Sequence, residues 1–577
     1  MREPTSAVTT ASNPMTKALE RDPLFRRDSR FGLLYHRGKM SFRELSPTNS
    51  LHVVIDGNRV SAHVDHISPL RRRGDGSIGY SWPRVLAHNL SGMTDDVVNA
   101  VRGRRRRQRC RLECDLVWVD EGHGATAPPE AAASLTTIPF SMADEAVHLI
   151  DSEAAPWSIQ LEARVPGRLD ERRLRAAFAQ ALSRHDMAGA RKAPSRRSYR
   201  QDRWEIGQDL DVDPLRVVEC ADDDALAAAR ADLQSRAVPL GESPPLRARL
   251  VRHPGGDVLM LNASHAAMDG YGVLRVLRSV ARAYTGDDDP APKATTSEAS
   301  QHLGRLIDAG FATRVRRHLA LAEKARDLIT PPARVAPDGG TDRTGYGFHH
   351  VALSESLTAA LVGLDHEGTV NDVLLAALHL AIARWNDQHG RPCRRIGVLV
   401  PANLRPAQWR QDVVGNFSLP ARISTTRAGR RDPGAALRTV SAQTRRKKAS
   451  GMGTGLLELL RQSRRLPLWA KQTLVMTLPL SGDRLTDTAM LSNMGRLEEP
   501  LSFGADAGTV VEAWFSPPAR MPLGLTIGAL TVAGRVHLAF RYRHRLMDAA
   551  AAARFAETYL GELNRLVDRV GSRPLAS

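Results

Sequence analysis

The residues best suited to chemistry lie in one short run, Ser264-His265-Ala266-Ala267-Met268-Asp269-Gly270, where an apolar strand gives way to a helix. A neutral imidazole, with an ordinary pKa of about 6.5, suits a general base near neutral pH. A strand end would hold His265 on rigid backbone, open to a cleft. Asp269 follows four residues on, across a tight turn, and Gly270 can take backbone angles that other residues cannot. The same residues also read as a strand-end histidine and a helix-capping Asp-Gly. A His-x-x-x-Asp-Gly match is too short to decide between the two readings.

Three other places offer polar candidates. Asn371-Asp372 opens an apolar helical run, where Asn371 reads as an N-cap and Asp372 as a partner of the helix dipole. The chemical reading makes that helix start a wall of the cleft that positions substrate. Asn493 is either a hydrogen-bond donor to a developing oxyanion or a plain strand-end amide. Leu456, Leu457, Leu459 and Leu460, with the apolar residues 466–478, read as a buried helix pair or as the lining of a tunnel for a long apolar chain. Cys110-x-x-x-Cys114 has no further ligand at metal spacing, so no metal site is expected. Arg104 to Arg107 reads as a solvated helix end.

The elements that must position these residues follow from periodicity. Residues 157–165, 246–251 and 258–263 read as strands, with Pro254-Gly255-Gly256 turning the second into the third. Asp170 caps a helix whose Leu174, Phe178 and Leu182 share a face. A helix over 271–284 carries the chain away from His265. Helices over 371–385 and 549–567 then alternate with strands over 395–400, 419–424, 523–532 and 536–542. Strands mixed with amphipathic helices predict layered α/β sandwiches.

Upstream, residues 51–64 read as a hairpin turning at Asp56-Gly57-Asn58, followed by a helix from Pro83 and a strand over 112–119. The predicted organisation is a small α+β module over 1–124, a linker over 125–137, and two lobes over 138–330 and 341–577. Breaks at 286–292 and 331–340, with a helical stretch over 300–328, separate the lobes.

The 577 residues are 42% hydrophobic and 25% charged, enough to bury sizeable cores and unlike a disordered, collagen-like or coiled-coil chain. No apolar run reaches about 18 residues, the N-terminus lacks a signal core, and cysteines number 4. A cytoplasmic location follows as an expectation. The net charge of +18 comes from 73 Arg and 8 Lys against 63 acidic residues. The excess is spread along the chain, which disfavours nucleic acid as a partner. Peripheral membrane contact stays open.

Further segments extend the pattern around His265. His265-x-x-x-Asp269-Gly270 resembles the signature of the condensation-domain superfamily. That superfamily takes in peptide condensation domains, the wax ester synthase and diacylglycerol acyltransferase group, polyketide-associated acyltransferases and chloramphenicol acetyltransferase. In family order, residues 138–144 resemble its opening segment and Gly167-Arg168-Leu169-Asp170 its first strand–helix step. Thr369-Val370-Asn371-Asp372 resembles the Asn-Asp motif of the wax ester synthase group. Val400-Pro401-Ala402-Asn403-Leu404-Arg405-Pro406 with Val414-Gly415-Asn416-Phe417 resembles the arginine motif, and Leu491-Ser492-Asn493-Met494-Gly495 the late Ser-Asn-x-Gly segment. The resemblance spans 138–577.

It implies two chloramphenicol acetyltransferase-like lobes with a cleft between them. It implies His265 as general base, and a structural pairing of Asp269 with Arg405 that sets the turn. The donor would be an acyl thioester of CoA or of an acyl carrier protein, the acceptor a hydroxyl or amine, with no metal or redox cofactor. Two departures matter. Ser264 stands where many members carry a first histidine, and the Asp-Phe-Gly-Trp-Gly segment of peptide condensation domains is absent. The second shifts the acceptor away from a carrier-bound aminoacyl group. Together they keep open a non-catalytic protein that binds a carrier protein or acyl ligand.

Overall fold

The computed structural model describes seven strands between residues 32 and 115. It also describes residues 136–571, apart from 154, 197–198, 208–209, 307–329, 365–367, 450, 452–453, 478–485 and 520–522. The chain divides into two compact units, Met1–Ala132 and Ala133–Ser577.

In the first unit, Gly32–His36, Lys39–Leu45, Asn49–Asp56, Arg59–His66 and Cys110–Asp115 form an antiparallel sheet in that order. Asp56 pairs with Arg59, the register expected of a hairpin turning at Asp-Gly-Asn. A separate ribbon pairs Leu70–Arg72 with Ile78–Tyr80. The helix expected from Pro83, the Arg104 to Arg107 run and the linker at 125–134 lie outside the described residues.

The second unit holds two large sheets. One runs in the order Leu215–Glu219, Leu246–Arg252, Val258–Ser264, Ser158–Arg164, Glu512–Ser516. The other runs Tyr346–Ala352, Arg535–Arg543, Leu525–Val532, Ala489–Arg496, Arg395–Asn403, Ser418–Thr426. Each has its own apolar core. Helix Glu171–Arg184 turns Leu174, Phe178 and Leu182 into the first core, and Asp170 caps it by accepting from Arg173 N at 2.7 Å. Helices Val370–Gln388 and Ala549–Gly571 cover the second.

The first sheet draws its strands from both sides of residues 330–341. Strand Glu512–Ser516 leaves the C-terminal half and pairs with Ser158–Arg164 at the edge of the first sheet. It carries Phe515 into the first core, which Met494, Leu497, Phe503 and Leu530 also enter. Alternating Ala513 and Phe515 mark a strand, but alternation does not say which sheet receives it.

The breaks expected at 286–292 and 331–340 are packed segments. Gly286, at φ 81°, ends helix Gly270–Thr285, and Asp289 turns back to meet Arg275 at 2.8 Å and Arg282 at 3.0 Å. A buried arginine needs that carboxylate more than the chain needs a free linker. Ala333 N donates to Arg395 O at 2.8 Å, and Ala336 N to Asn386 Oδ1 at 2.8 Å. The helix expected over 300–328 is described as Thr296–Arg305, and 307–329 lie outside the described residues.

Candidate active site

Strand Val258–Ser264 sits inside the first sheet, paired on both sides, and is buried along its whole length. Its rigidity passes to the turn that follows. His265 N donates to Trp157 O at 3.1 Å, and Met268 N donates back to Ser264 O at 3.2 Å. Sequence reasoning placed His265 open to a cleft. The structure buries it, with 8% of its surface exposed. Its Nδ1 is buried with no hydrogen-bond partner among the described residues. Burial holds the imidazole pKa below its usual 6.5, and Asp269 offsets this only in part. The ring is therefore neutral at neutral pH, the state in which it can accept a proton.

Asp269 uses its carboxylate three ways. Oδ1 caps helix Gly270–Thr285 by accepting from Gly272 N at 3.1 Å. Oδ2 accepts from Phe417 N at 3.0 Å and from Arg405 Nη1. Arg405 thus lies against Asp269 although 136 positions separate them. Its Nη2 donates to Gly415 O at 2.8 Å, and its guanidinium lies 4.5 Å from the Phe417 ring centroid. Gly415 O also accepts from Asp269 N at 3.1 Å. The ion pair and the 413–417 backbone together clamp the turn behind His265.

Gly270 is a glycine for a different reason than backbone freedom. It lies outside the positive-φ residues, but a Cβ there would sit 3.0 Å from Phe515 Cε2 and 3.1 Å from Met494 Sδ. The crossing strand therefore needs Gly270 as a close neighbour. Tyr271, which periodicity marks only as helical, donates its hydroxyl to Met494 O at 3.2 Å and ties the turn to strand Ala489–Arg496.

The remaining candidates are dispersed. Asn493 stands in that strand at an irregularity, and its Oδ1 accepts from Gly495 N at 2.8 Å. Asn371 is not the N-cap of its helix. That position belongs to Thr369, in a capping box with Asp372, whose Oδ2 accepts from Thr369 N at 2.8 Å. The threonine hydroxyl can pair with the residue three positions on, and that geometry outweighs the intrinsic preference for Asn. Among the described residues no hydrogen bond joins Asn371 or Asp372 to the His265 turn.

The apolar stretch forms helices Thr454–Ser463 and Leu468–Thr477, and Leu457 packs with Met142, Ala143 and Leu419. Lys471, unremarked in the sequence, is buried in an ion pair with Glu145, and it also donates to Arg200 O at 2.6 Å. A cavity of about 280 Å³ lies beside the site rather than at His265, bounded by His185, Thr296, Val413 and Val414. A smaller one next to it reaches Asp144 and the Gly415–Phe417 backbone that grips Asp269.

Residues 146–569 match the model of the Condensation domain family. The chain belongs to that family. Its members transfer acyl or peptidyl groups held as thioesters on carrier proteins. An uncharacterized protein of Mycobacterium tuberculosis is 34% identical over 429 residues, which cover 73% of this chain and 98% of that protein. A plipastatin synthase polypeptide of Bacillus subtilis is 27% identical over 237 residues, 38% of this chain and 9% of that protein. In fold, the chain resembles the first condensation domain of the CDA synthetase, with a TM-score of 0.57, 15% identity, and 75% of this chain and 97% of that one covered. The epimerization domain from the third module of tyrocidine synthetase B gives 0.55 and 16% identity, covering 77% and 100%. The architecture is thus the chloramphenicol acetyltransferase-like fold that the motifs implied. The pointer to the wax ester synthase group rests on the sequence alone. No helix among the described residues is long and apolar enough to cross a membrane.

Proposed function

We propose that this chain is an acyltransferase that moves an acyl group from a thioester to a hydroxyl or amine, with His265 as general base. One observation carries the reading: a buried, neutral imidazole on a turn clamped by Asp269 and Arg405. His265 takes the proton of the acceptor as it attacks the thioester carbonyl. The negative charge then develops on the carbonyl oxygen, where a preorganised donor is worth most. The amide nitrogen of Asn493 is the donor we assign to it, since Oδ1 is already held by Gly495. The tetrahedral adduct collapses, the thiolate leaves, and the proton passes from His265 to the departing sulfur.

Asp269 and Arg405 act on the turn rather than on the substrate. Gly270 lets the crossing strand close against it. Asn371 and Asp372 are assigned to the helix start, Asp372 as a cap. The donor is acyl-CoA or an acyl carrier protein, and the reaction proposed needs neither metal nor redox cofactor. We place the reaction in the cytoplasm and assign residues 1–124 as a separate module.

The test is release of free thiol from a panel of acyl-CoA and acyl-carrier donors, offered alcohols and amines, with His265→Ala in parallel. Turnover in the wild type that His265→Ala loses supports the reading. Donor binding without turnover in either favours the non-catalytic alternative.

A further inference from the structure

Among the described residues, some buried or nearly buried guanidinium groups face a carboxylate. Arg405 meets Asp269, Arg230 meets Glu162 at 2.7 Å and Arg275 meets Asp289 at 2.8 Å. Arg430 pairs with no carboxylate among the described residues. It spends both terminal nitrogens on carbonyl oxygens, at 2.5 Å to Thr425 and 2.9 Å to Cys393.

Arg541 is different. It is fully buried, and among the described residues its Nη1 donates to two backbone carbonyls, at 3.4 Å to Ser158 O and 3.3 Å to Pro517 O. Nε and Nη2 are buried with no hydrogen-bond partner among the described residues. A second cation stands close by: the Tyr346 ring carries Arg541 at 3.8 Å and Arg543 at 4.6 Å. Burial brings the Arg541 pKa down to about 10, so the group stays charged at neutral pH.

Its position is as telling as its charge. In strand Arg535–Arg543, Leu538, Phe540 and Tyr542 enter the second core, so alternation puts Arg541 on the opposite face. There it reaches Ser158, the cross-strand partner of Ser264. The carbonyl before Ser158, that of Trp157, receives His265 N. Arg541 and the His265 backbone therefore hang on consecutive carbonyls, within about two strand spacings, roughly 10 Å. Ser158 Oγ and Gln160 Oε1, two residues apart on one strand face, are also buried without partners among the described residues.

A buried cation with no counter-charge costs stability, and orphaned polar atoms gathered in one place call for a missing partner. We propose that Arg541, with the Ser158 hydroxyl beside it, binds a carboxylate on the acceptor substrate, which makes the acceptor a hydroxy acid or an amino acid. This rests on the acyl-transfer reading above. A carboxylate matches the free Nε–Nη2 edge of the guanidinium in a two-point fork. The phosphate of a thioester donor does not fit this place, because the whole pantetheine arm separates it from the reacting carbonyl.

The experiment is thermal melting of the full-length chain in sodium formate against sodium chloride at equal ionic strength. Wild type, Arg541→Met, Arg541→Lys and His265→Ala are compared. Formate should raise the melting point of wild type and His265→Ala alike and leave Arg541→Met unmoved. Arg541→Lys, which keeps the charge and loses the fork, should bind formate about tenfold more weakly. Without formate, Arg541→Met should melt no lower than wild type, because it removes an unpaired buried charge. A wild type no more stable in formate than in chloride overturns the proposal. So does an Arg541→Met variant that responds to formate, or one that unfolds and so assigns the guanidinium to the fold. A formate response that survives in His265→Ala stands even if no acyl transfer is found.

Discussion

Replacing Asp269 by Ala tests the clamp behind His265. The carboxylate lost is the N-cap of helix Gly270–Thr285, the acceptor for Phe417 N and the only carboxylate paired with Arg405 among the described residues. Losing an N-cap costs about 1 kcal/mol. A buried donor left unpaired costs about 1–3 kcal/mol. Breaking a buried ion pair from one side costs about 3–5 kcal/mol. One carboxylate serves all three, so the terms overlap, and we expect a total loss of about 4–6 kcal/mol. Urea unfolding followed by tryptophan fluorescence reads it. The control is the double variant Asp269→Ala with Arg405→Met. Once the uncompensated guanidinium is gone, it should recover at least about 2 kcal/mol relative to Asp269→Ala alone. A loss below about 1 kcal/mol in Asp269→Ala, or a double variant as unstable as the sum of the singles, would refute the clamp.

Gly270→Ala sets a methyl group against Phe515 and Met494 and should cost about 1–3 kcal/mol by overpacking, read by the same unfolding assay. Stability should fall as pH drops from about 6.5 toward 4. Burial holds His185 to about 4 and His379 to about 3, so the unfolded chain binds the extra protons in that window. Asp144, pushed up to about 6 by burial, opposes that slope, and Asp144→Asn should steepen the loss in a pH series of melts. Residues 133–577 expressed without the first unit should unfold cooperatively, since the two units are separately compact. Aggregation of that fragment would show that the first unit completes its core.

Much of the second unit was legible because its signals are local. Asp170 and the Leu174, Phe178, Leu182 face predict their helix from capping and a 3.6-residue period alone. The buried strand of residues 258–263 and the helix after it placed His265 at their junction. What stayed hidden depends on partners far along the chain. No spacing rule pairs Arg405 with Asp269, and only the resemblance to a family selected it from 73 arginines. The crossing of Glu512–Ser516 is invisible to periodicity, and with it the close contacts that a side chain at Gly270 would meet. Arg541 sits at the polar position of an alternating strand, where a charge ordinarily means solvent. Here that face is covered by the other sheet, and the charge is buried.

The central claim is that His265 removes the acceptor's proton, and single-turnover acyl transfer by His265→Ala measures it most directly. With a donor and acceptor that react on the wild type, the chemical step should slow about 100- to 10,000-fold while donor affinity holds. In the wild type the acid limb of the rate profile should fall below pH 6.5, because a base held below its usual pKa stays neutral further into acid. Wild-type turnover in His265→Ala would contradict the account.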